Sequence, residues 1–354
     1  MNPLHKLLGI DCPIIQAPMA GVSTVALAAA VSNAGALGSI AIVALEADAA
    51  RNMLGQLHAA TAAPFNVNVF CHQPAAPDAA VETAWLDHLA PFFAEFGAVP
   101  PAALHDIYHS FSDGEGQLQV LLERPPRVVS FHLGLPPPSH IEALKRAGMT
   151  LLASATNLDE ALLVQAAGVD VVVAQGAEAG GHRGVFDVAA ADPQLATMDL
   201  VRLLVQRLSI PVVATGGIMD GADIAAMTAA GALATQLGTA FVPCVESSST
   251  AAHRAMLASE RALQTQFTTV ISGRPARGIG NRFMREVGAA GHPAVPGFGI
   301  AYNGGKKLAE AAAAAGSAEF AAHWAGANAV RARAMPAAQL VALLREEYMA
   351  HSIS

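Results

Sequence analysis

The residues best equipped for chemistry lie in the segment Gln175-Gly-Ala-Glu-Ala-Gly-Gly-His182-Arg-Gly184. Its glycines let backbone amides approach an anionic ligand closely and permit positive φ. Histidine titrates near neutrality, so His182 can exchange a proton with a ligand at working pH. The plain alternative is a glycine-rich surface loop with an incidental histidine. Position argues against it, because the segment follows an apolar run, Val169–Gln175, that reads as a strand. Two further segments carry an anion-binding signal. Thr215-Gly216-Gly217 precedes a helical stretch, and Gln236-Leu237-Gly238-Thr239 ends another apolar run. Backbone amides there, the N-terminus of a nearby helix and the Thr239 hydroxyl are suited to cradle a phosphate.

These segments need a scaffold that brings them together. Eight short apolar runs read as strands covered on both faces: Pro13–Met19, Leu37–Val43, Phe65–Phe70, Val128–Leu133, Thr150–Ala155, Val169–Gln175, Pro211–Thr215 and Ala234–Phe241. Between them Thr24–Asn33, Ala47–Ala60, Pro138–Ala147, Leu158–Ala167, Met198–Leu208 and Gly221–Ala230 read as helices, with Gly148, Gly168 and Gly231 as stops. The repeats predict an α/β fold, a (β/α)8 TIM barrel, with a doubly wound open sheet as the alternative. In such a barrel the active site lies at the C-terminal ends of the strands. The unusual polar residues fall there: Gln16 and Met19, Asn66 and Asn68, His132, Gln175, Thr215 to Gly217, and Gln236 to Thr239. Each alone could be a satisfied buried polar group; their shared address points to a site.

The barrel is expected over residues 1–245, with a helical excursion at about 78–127 that includes a Gly-rich loop at Asp113–Gly116. Residues 246–316 are expected to form a helical cap or substrate region over the mouth. Residues 317–354 are expected to form helices, including Ser317–Met335 and Ala337–Met349, that pack back on the barrel.

Composition narrows the function classes. The 354 residues are 53% hydrophobic and only 14% charged, enough apolar material for a large core. Net charge is −8 with no basic run, which argues against nucleic acid and anionic membrane surfaces as partners. Cys12, Cys71 and Cys244 are widely spaced, so a reducing cytoplasm is expected and no metal site is. Met1–Gly9 lacks the pattern of a signal peptide. No charge occurs between Asp11 and Glu46, but Gln16, Pro18, Gly21, Ser32, Asn33, Gly35 and Gly38 interrupt the stretch. It reads as buried strand, helix and strand rather than a membrane span.

Gln16-Ala17-Pro18-Met19-Ala20, Gly176-Ala-Glu-Ala-Gly-Gly-His-Arg-Gly184, Ala214-Thr-Gly-Gly-Ile218 and Gln236-Leu-Gly-Thr239 resemble the nitronate monooxygenase family, formerly called 2-nitropropane dioxygenases. The resemblance extends to Pro64-Phe-Asn-Val-Asn68, Ser130-Phe-His132 and Pro296-Gly-Phe-Gly-Ile-Ala-Tyr-Asn-Gly-Gly-Lys306, the last similar to the class I branch. It implies non-covalent FMN, molecular oxygen, and oxidation of alkyl nitronates through a flavin semiquinone, with propionate 3-nitronate as the physiological substrate. It implies FMN contacts from Gln16, Ala17, Pro18, Met19, Asn68, Gln175, Gly180, Gly181, Gly216, Gly217, Gln236, Leu237, Gly238 and Thr239. His182 matches the catalytic histidine, and His132, Tyr108, Tyr302 and Lys306 are expected at the substrate. Asn66 departs from the smaller residue of many relatives, and Phe298 stands where a relative uses tyrosine.

The Glu178-Ala-Gly-Gly-His182 core is also similar to FMN-dependent enoyl-ACP reductases, and related barrels include NADH:quinone reductases. Those need NAD(P)H to reduce flavin, whereas a nitronate monooxygenase takes its electron from substrate. A flavin-binding protein without turnover is a third reading, and a homodimer is compatible with all three.

Overall fold

In the computed structural model, which describes residues 3–113 and 115–352, strand and helix alternate from the beginning. Met1, Asn2, Gly114 of the Asp113–Gly116 loop, Ile353 and Ser354 lie outside the described residues. The strands are β1 (Ile14–Gln16), β2 (Gly38–Ala41), β3 (Phe65–Phe70), β4 (Val128–His132), β5 (Thr150–Ala155), β6 (Val171–Gln175), β7 (Gly181–His182), β8 (Val212–Thr215) and β9 (Ala234–Leu237). All except β7 form one parallel sheet in the order β1-β9-β8-β6-β5-β4-β3-β2. The Gln16 amide donates to the Leu37 carbonyl (2.9 Å) and the Leu37 amide to the Ile14 carbonyl (3.0 Å), which joins the two edges. The sheet is therefore the expected barrel rather than the open alternative.

The side-chain period of two divides each strand between helix layer and barrel interior. Val67, Val129, Leu151 and Val172 pack outward with Leu27, Leu54, Leu144 and Leu204 of the helices. The inward residues change character along the barrel. At the N-terminal end Ile15, Leu37, Val128, Leu152, Val171 and Val213 form an apolar plug with Leu4 and Leu8 of α1 (Pro3–Leu8). Towards the C-terminal end the same faces carry Ser130, His132, Ser154, Gln175 and Thr215, which line a cavity.

The outer helices are α2 (Val25–Asn33), α3 (Ala47–Ala60), α4 (Ala79–Glu95), α5 (Gly116–Glu123), α6 (Pro138–Arg146), α7 (Leu158–Ala166), α8 (Thr197–Arg207) and α9 (Gly221–Ala229). Side chains of Thr24, Asp78, Asn157 and Asp220 cap α2, α4, α7 and α9 by accepting from first-turn amides. The run Ala234–Phe241 extends past the strand: β9 stops at Leu237, and Thr239–Phe241 makes a single 3-10 turn.

The region after β9 is less helical than expected. It contains α10 (Ala251–Leu257), an antiparallel pair β10 (Thr265–Thr268) and β11 (Ala276–Ile279), a π-turn at Phe283–Val287, and α11 (Ile300–Ala314). β11 pairs with β7, so the backbone of His182 belongs to a small sheet above the barrel. Ser317–Met335, expected as helix, is turns and irregular chain with an isolated bridge at Trp324 and one 3-10 turn at Ala329–Arg331. Pairing overrides the helix preference of its alanines: the Ile279 amide donates to the His323 carbonyl (2.9 Å), and the Ala325 amide to the Arg277 carbonyl (3.3 Å). This strap lies across the mouth, and only α12 (Ala337–Ser352) returns to the outside, where Leu340, Val341 and Leu344 join the helix-layer core.

Candidate active site

A cavity of about 530 Å³ opens at the C-terminal ends of the strands, roofed by the strap and α11. That size is within the usual range for a cofactor or ligand site. Of the eighteen cofactor and substrate positions expected beside His182, all but two line it together with His182: Ala17, Pro18, Met19, Asn68, Tyr108, His132, Gln175, Gly180, Gly181, Gly216, Gly217, Gln236, Gly238, Thr239, Tyr302 and Lys306. The exceptions are Gln16 and Leu237. Gln16 is fully buried, accepts from the Ser39 amide (2.8 Å) and donates to Ser23 Oγ (2.9 Å), so it braces the β1–α2 turn. Leu237 points into the helix-layer core. Asn66 is also buried away from the cavity and donates to Ser39 Oγ (3.2 Å).

His182 is held from its main chain outward. Its carbonyl accepts from Gln175 Nε2 (3.0 Å) and from His132 Nε2 (3.2 Å). Gln175 Oε1 accepts from the Gly184 amide (2.7 Å), and Arg183, buried and paired with Asp192 (2.8 Å), donates to the Gln175 carbonyl. Both ring nitrogens of His132 are thus engaged, one by the His182 carbonyl and one by Ser154 Oγ (2.6 Å). His132 lines the cavity, but its hydrogen bonds position the His182 loop.

The tautomer of His182 follows from its neighbour. Ser272 Oγ donates to the Arg274 carbonyl (3.1 Å), so it accepts from His182 Nε2 (3.0 Å). Nδ1 has no protein partner among the described residues and is left to meet a ligand. Burial pushes the His182 pKa down to about 3, helped by His132, Arg274, His72 and Lys306. The imidazole is therefore neutral at pH 7, in a setting that favours an anion. Phe298 stacks on Tyr108 (5.1 Å between ring centres) and meets His182 edge-on (5.0 Å). Without a hydroxyl it packs as a wall behind the histidine.

The opposite side of the cavity suits a phosphate. Among the described residues no protein acceptor takes the amides of Gly217 or Gly238. Thr239 Oγ1 accepts from the Gly326 amide (3.0 Å), which leaves its own proton to donate. Gly217 has φ +69°, and a Cβ there would lie 3.0 Å from the Glu178 side chain and 3.1 Å from that of Asn328. At Gly180 a Cβ would lie 2.5 Å from the backbone of Ala325 and Gly326, so the strap seats directly on this loop. The expected use of a helix N-terminus is not met by α9: Asp220 accepts from the Asp223 amide, and Asp223 from the Met219 amide (2.7 Å). The unpaired amides on this side belong to loop residues.

The nitronate monooxygenase family model matches residues 1–347. A nitronate monooxygenase of Paraburkholderia phytofirmans is 56% identical over 97% of this chain and 94% of its own length. One of Pseudomonas aeruginosa is 53% identical over 97% of both. The chain belongs to the nitronate monooxygenase family. The solved nitroalkane oxidase of Streptomyces ansochromogenes superposes with a TM-score of 0.89, at 39% identity over 99% of each chain. Membership makes the protein an oxidoreductase. Among the described residues no helix is long and apolar enough to cross a membrane. His105 and His109 stand four apart, a ligand spacing on a helix, but their segment is irregular and His109 pairs with Glu46 (3.1 Å).

For this family member the sequence did not single out Trp324, Ser272, Ser154 or His253. Trp324 is one of two tryptophans in the chain, the one available signal, but it sits in an alanine-rich run that reads as helix.

The buried histidines also predict a pH response. Burial is the leading cause that lowers His72, His132 and His253 to about 4 and His182 to about 3, from an ordinary 6.5. Between roughly pH 6.5 and 4 the unfolded chain binds more protons at these groups than the folded one, so their effect is to lower stability as pH falls. Thermal unfolding followed by calorimetry should show a midpoint that drops steadily on acidification through this window. A flat midpoint would contradict the neutral, buried assignment.

Proposed function

We propose that the protein is an FMN-dependent nitronate monooxygenase that oxidises small anionic nitronates with molecular oxygen, propionate 3-nitronate foremost, in the cytoplasm. The observation that carries the reading is one cavity holding both unpaired loop amides at Gly217 and Gly238 and a neutral histidine with an open nitrogen. The amides of Gly217 and Gly238 and the Thr239 hydroxyl would hold the FMN phosphate, with Gly180 and Gly181 close to the flavin. FMN, when bound, supplies the electron acceptor.

The protein's own groups bind and orient. Lys306 at the cavity wall and the nearby Arg274 make the cavity favourable to an anion within an acidic protein. His182 Nδ1 faces the nitro group, and for a neutral nitroalkane it receives the α-proton. Buried, unpaired Cys12, Cys71 and Cys244 support a reducing compartment. Denaturation of the purified protein should release a yellow chromophore that co-migrates with FMN. Release of FAD, or no flavin after reconstitution, overturns the cofactor assignment.

Tyr302 and Lys306 lie one turn apart on α11 and both line the cavity, with Lys306 Nζ 5.0 Å from the Tyr302 ring centre. They would take the substrate carboxylate. Lys306→Met should raise KM for propionate 3-nitronate and leave ethyl nitronate nearly unaffected. Because Lys306 is exposed, screening places the change towards about tenfold within the range for a charged hydrogen bond. Equal loss on both substrates, measured by oxygen uptake, would remove Lys306 from carboxylate recognition.

A further inference from the structure

The strap carries a residue whose hydrogen bond constrains the substrate end of the cavity. Trp324 Nε1 donates to the Tyr302 hydroxyl oxygen at 3.1 Å. An indole N–H can only donate, so the direction of this bond is unambiguous. Tyr302 therefore accepts from Trp324, and its single proton must be offered elsewhere. Among the described residues no protein group accepts that proton, and Tyr302 lines the cavity beside Lys306. The indole is fixed in turn by its backbone: Trp324 bridges Gly278, and its carbonyl lies 3.1 Å from His253 Nε2.

We propose that Trp324 is a positioning residue for substrate specificity, committing the Tyr302 hydroxyl to donate alongside the Lys306 ammonium. That pole of the cavity then presents only donors. It selects nitronates whose far end only accepts hydrogen bonds, a carboxylate above all, over those ending in an amide, an ammonium or an alkyl group. The inference rests on the reading that this pole receives the substrate carboxylate.

The test compares propionate 3-nitronate with propyl nitronate on the flavin-loaded enzyme carrying Trp324→Phe, Tyr302→Phe, or both. Trp324→Phe keeps an aromatic ring beside His182, whose ring centre lies 5.5 Å from the indole, and removes the N–H together with part of the ring system. KM for propionate 3-nitronate should rise about three- to tenfold, as expected for one hydrogen bond, with kcat and propyl nitronate kinetics little changed. The double variant should be no worse than Tyr302→Phe alone, because both changes act through one hydroxyl. A second measurement avoids repacking by replacing tryptophan with its benzothiophene isostere throughout the chain. The other tryptophan, Trp85, has an Nε1 with no hydrogen-bond partner, so only the Trp324 bond is lost. The same carboxylate-specific shift should appear.

If Trp324→Phe weakens both substrates equally, or the isostere leaves both unchanged while Tyr302→Phe shows the carboxylate effect, the proposal is overturned and the carboxylate reading stands. If Tyr302→Phe and Lys306→Met both leave the substrate preference unchanged, the carboxylate reading falls and takes the proposal with it.

Discussion

Replacing His182 by asparagine should leave a folded, flavin-loaded protein with little turnover. The loss should be greatest with neutral nitroalkanes, where general-base catalysis typically contributes ~10²–10⁴-fold. The geometry supports a base at Nδ1: Nε2 is committed to Ser272 Oγ at 3.0 Å, and Nδ1 is left open. The low pKa of the free imidazole comes from burial and from Arg274, His72, His132 and Lys306 around it. Negative charge developing on a substrate would offset those neighbours and raise the basicity of His182 as the proton is transferred. Nitronates arrive deprotonated and should suffer less. Equal loss on both substrate forms would make His182 a positioning residue, and full activity on both would remove it from the reaction.

Gly217→Asp should abolish flavin retention. The substitution puts a carboxylate where the phosphate is expected and forces a side chain into positive φ, against Glu178 and Asn328. Because that crowding could also disturb the loop, Gly238→Asp is the companion variant. A Cβ at Gly238 meets only Ala17 Cβ at 3.6 Å and Met19 Sδ at 3.8 Å, ordinary contacts that need no rearrangement. Both variants should be isolated colourless, with Gly238→Asp matching the thermal midpoint of the flavin-free wild-type protein. A yellow Gly238→Asp protein with normal FMN content would place the phosphate elsewhere.

Much of the barrel could be read from the sequence because its determinants are local. Short runs such as Phe65–Phe70 and Thr150–Ala155 match their strands, since buried apolar residues recur through them and only a few side chains, Asn66, Asn68 and Ser154 among them, are polar. Gly148, Gly168 and Gly231 stop helices at positive φ as glycines do. The strap was not legible. Ala318, Ala321, Ala322 and Ala325 favour helix locally, yet the His323 carbonyl and the Ala325 amide pair with β11, more than forty residues earlier in the chain.

The site shows the same division. Polar residues at strand ends marked the cavity. Whether each faces it depends on strand register, which is why Gln16 braces a turn and Leu237 packs outward while Ala17 and Gly238 line the wall. His132 reads as a substrate ligand from its position alone. Only the geometry shows that its two nitrogens are spent on Ser154 and the His182 carbonyl. Ser272 and Trp324 act through partners far away in sequence, and no spacing rule connects them to His182 or Tyr302.

The central claim is that the protein takes electrons from a nitronate rather than from a nicotinamide. The most direct measurement is oxygen uptake by the purified flavin-loaded protein, with propionate 3-nitronate alone and with NADH or NADPH alone. Sustained uptake with the nitronate, in the absence of any nicotinamide, is the predicted result. Uptake or flavin bleaching driven only by NADH or NADPH, with the nitronate inert, would contradict the account and favour a flavin reductase on the same barrel.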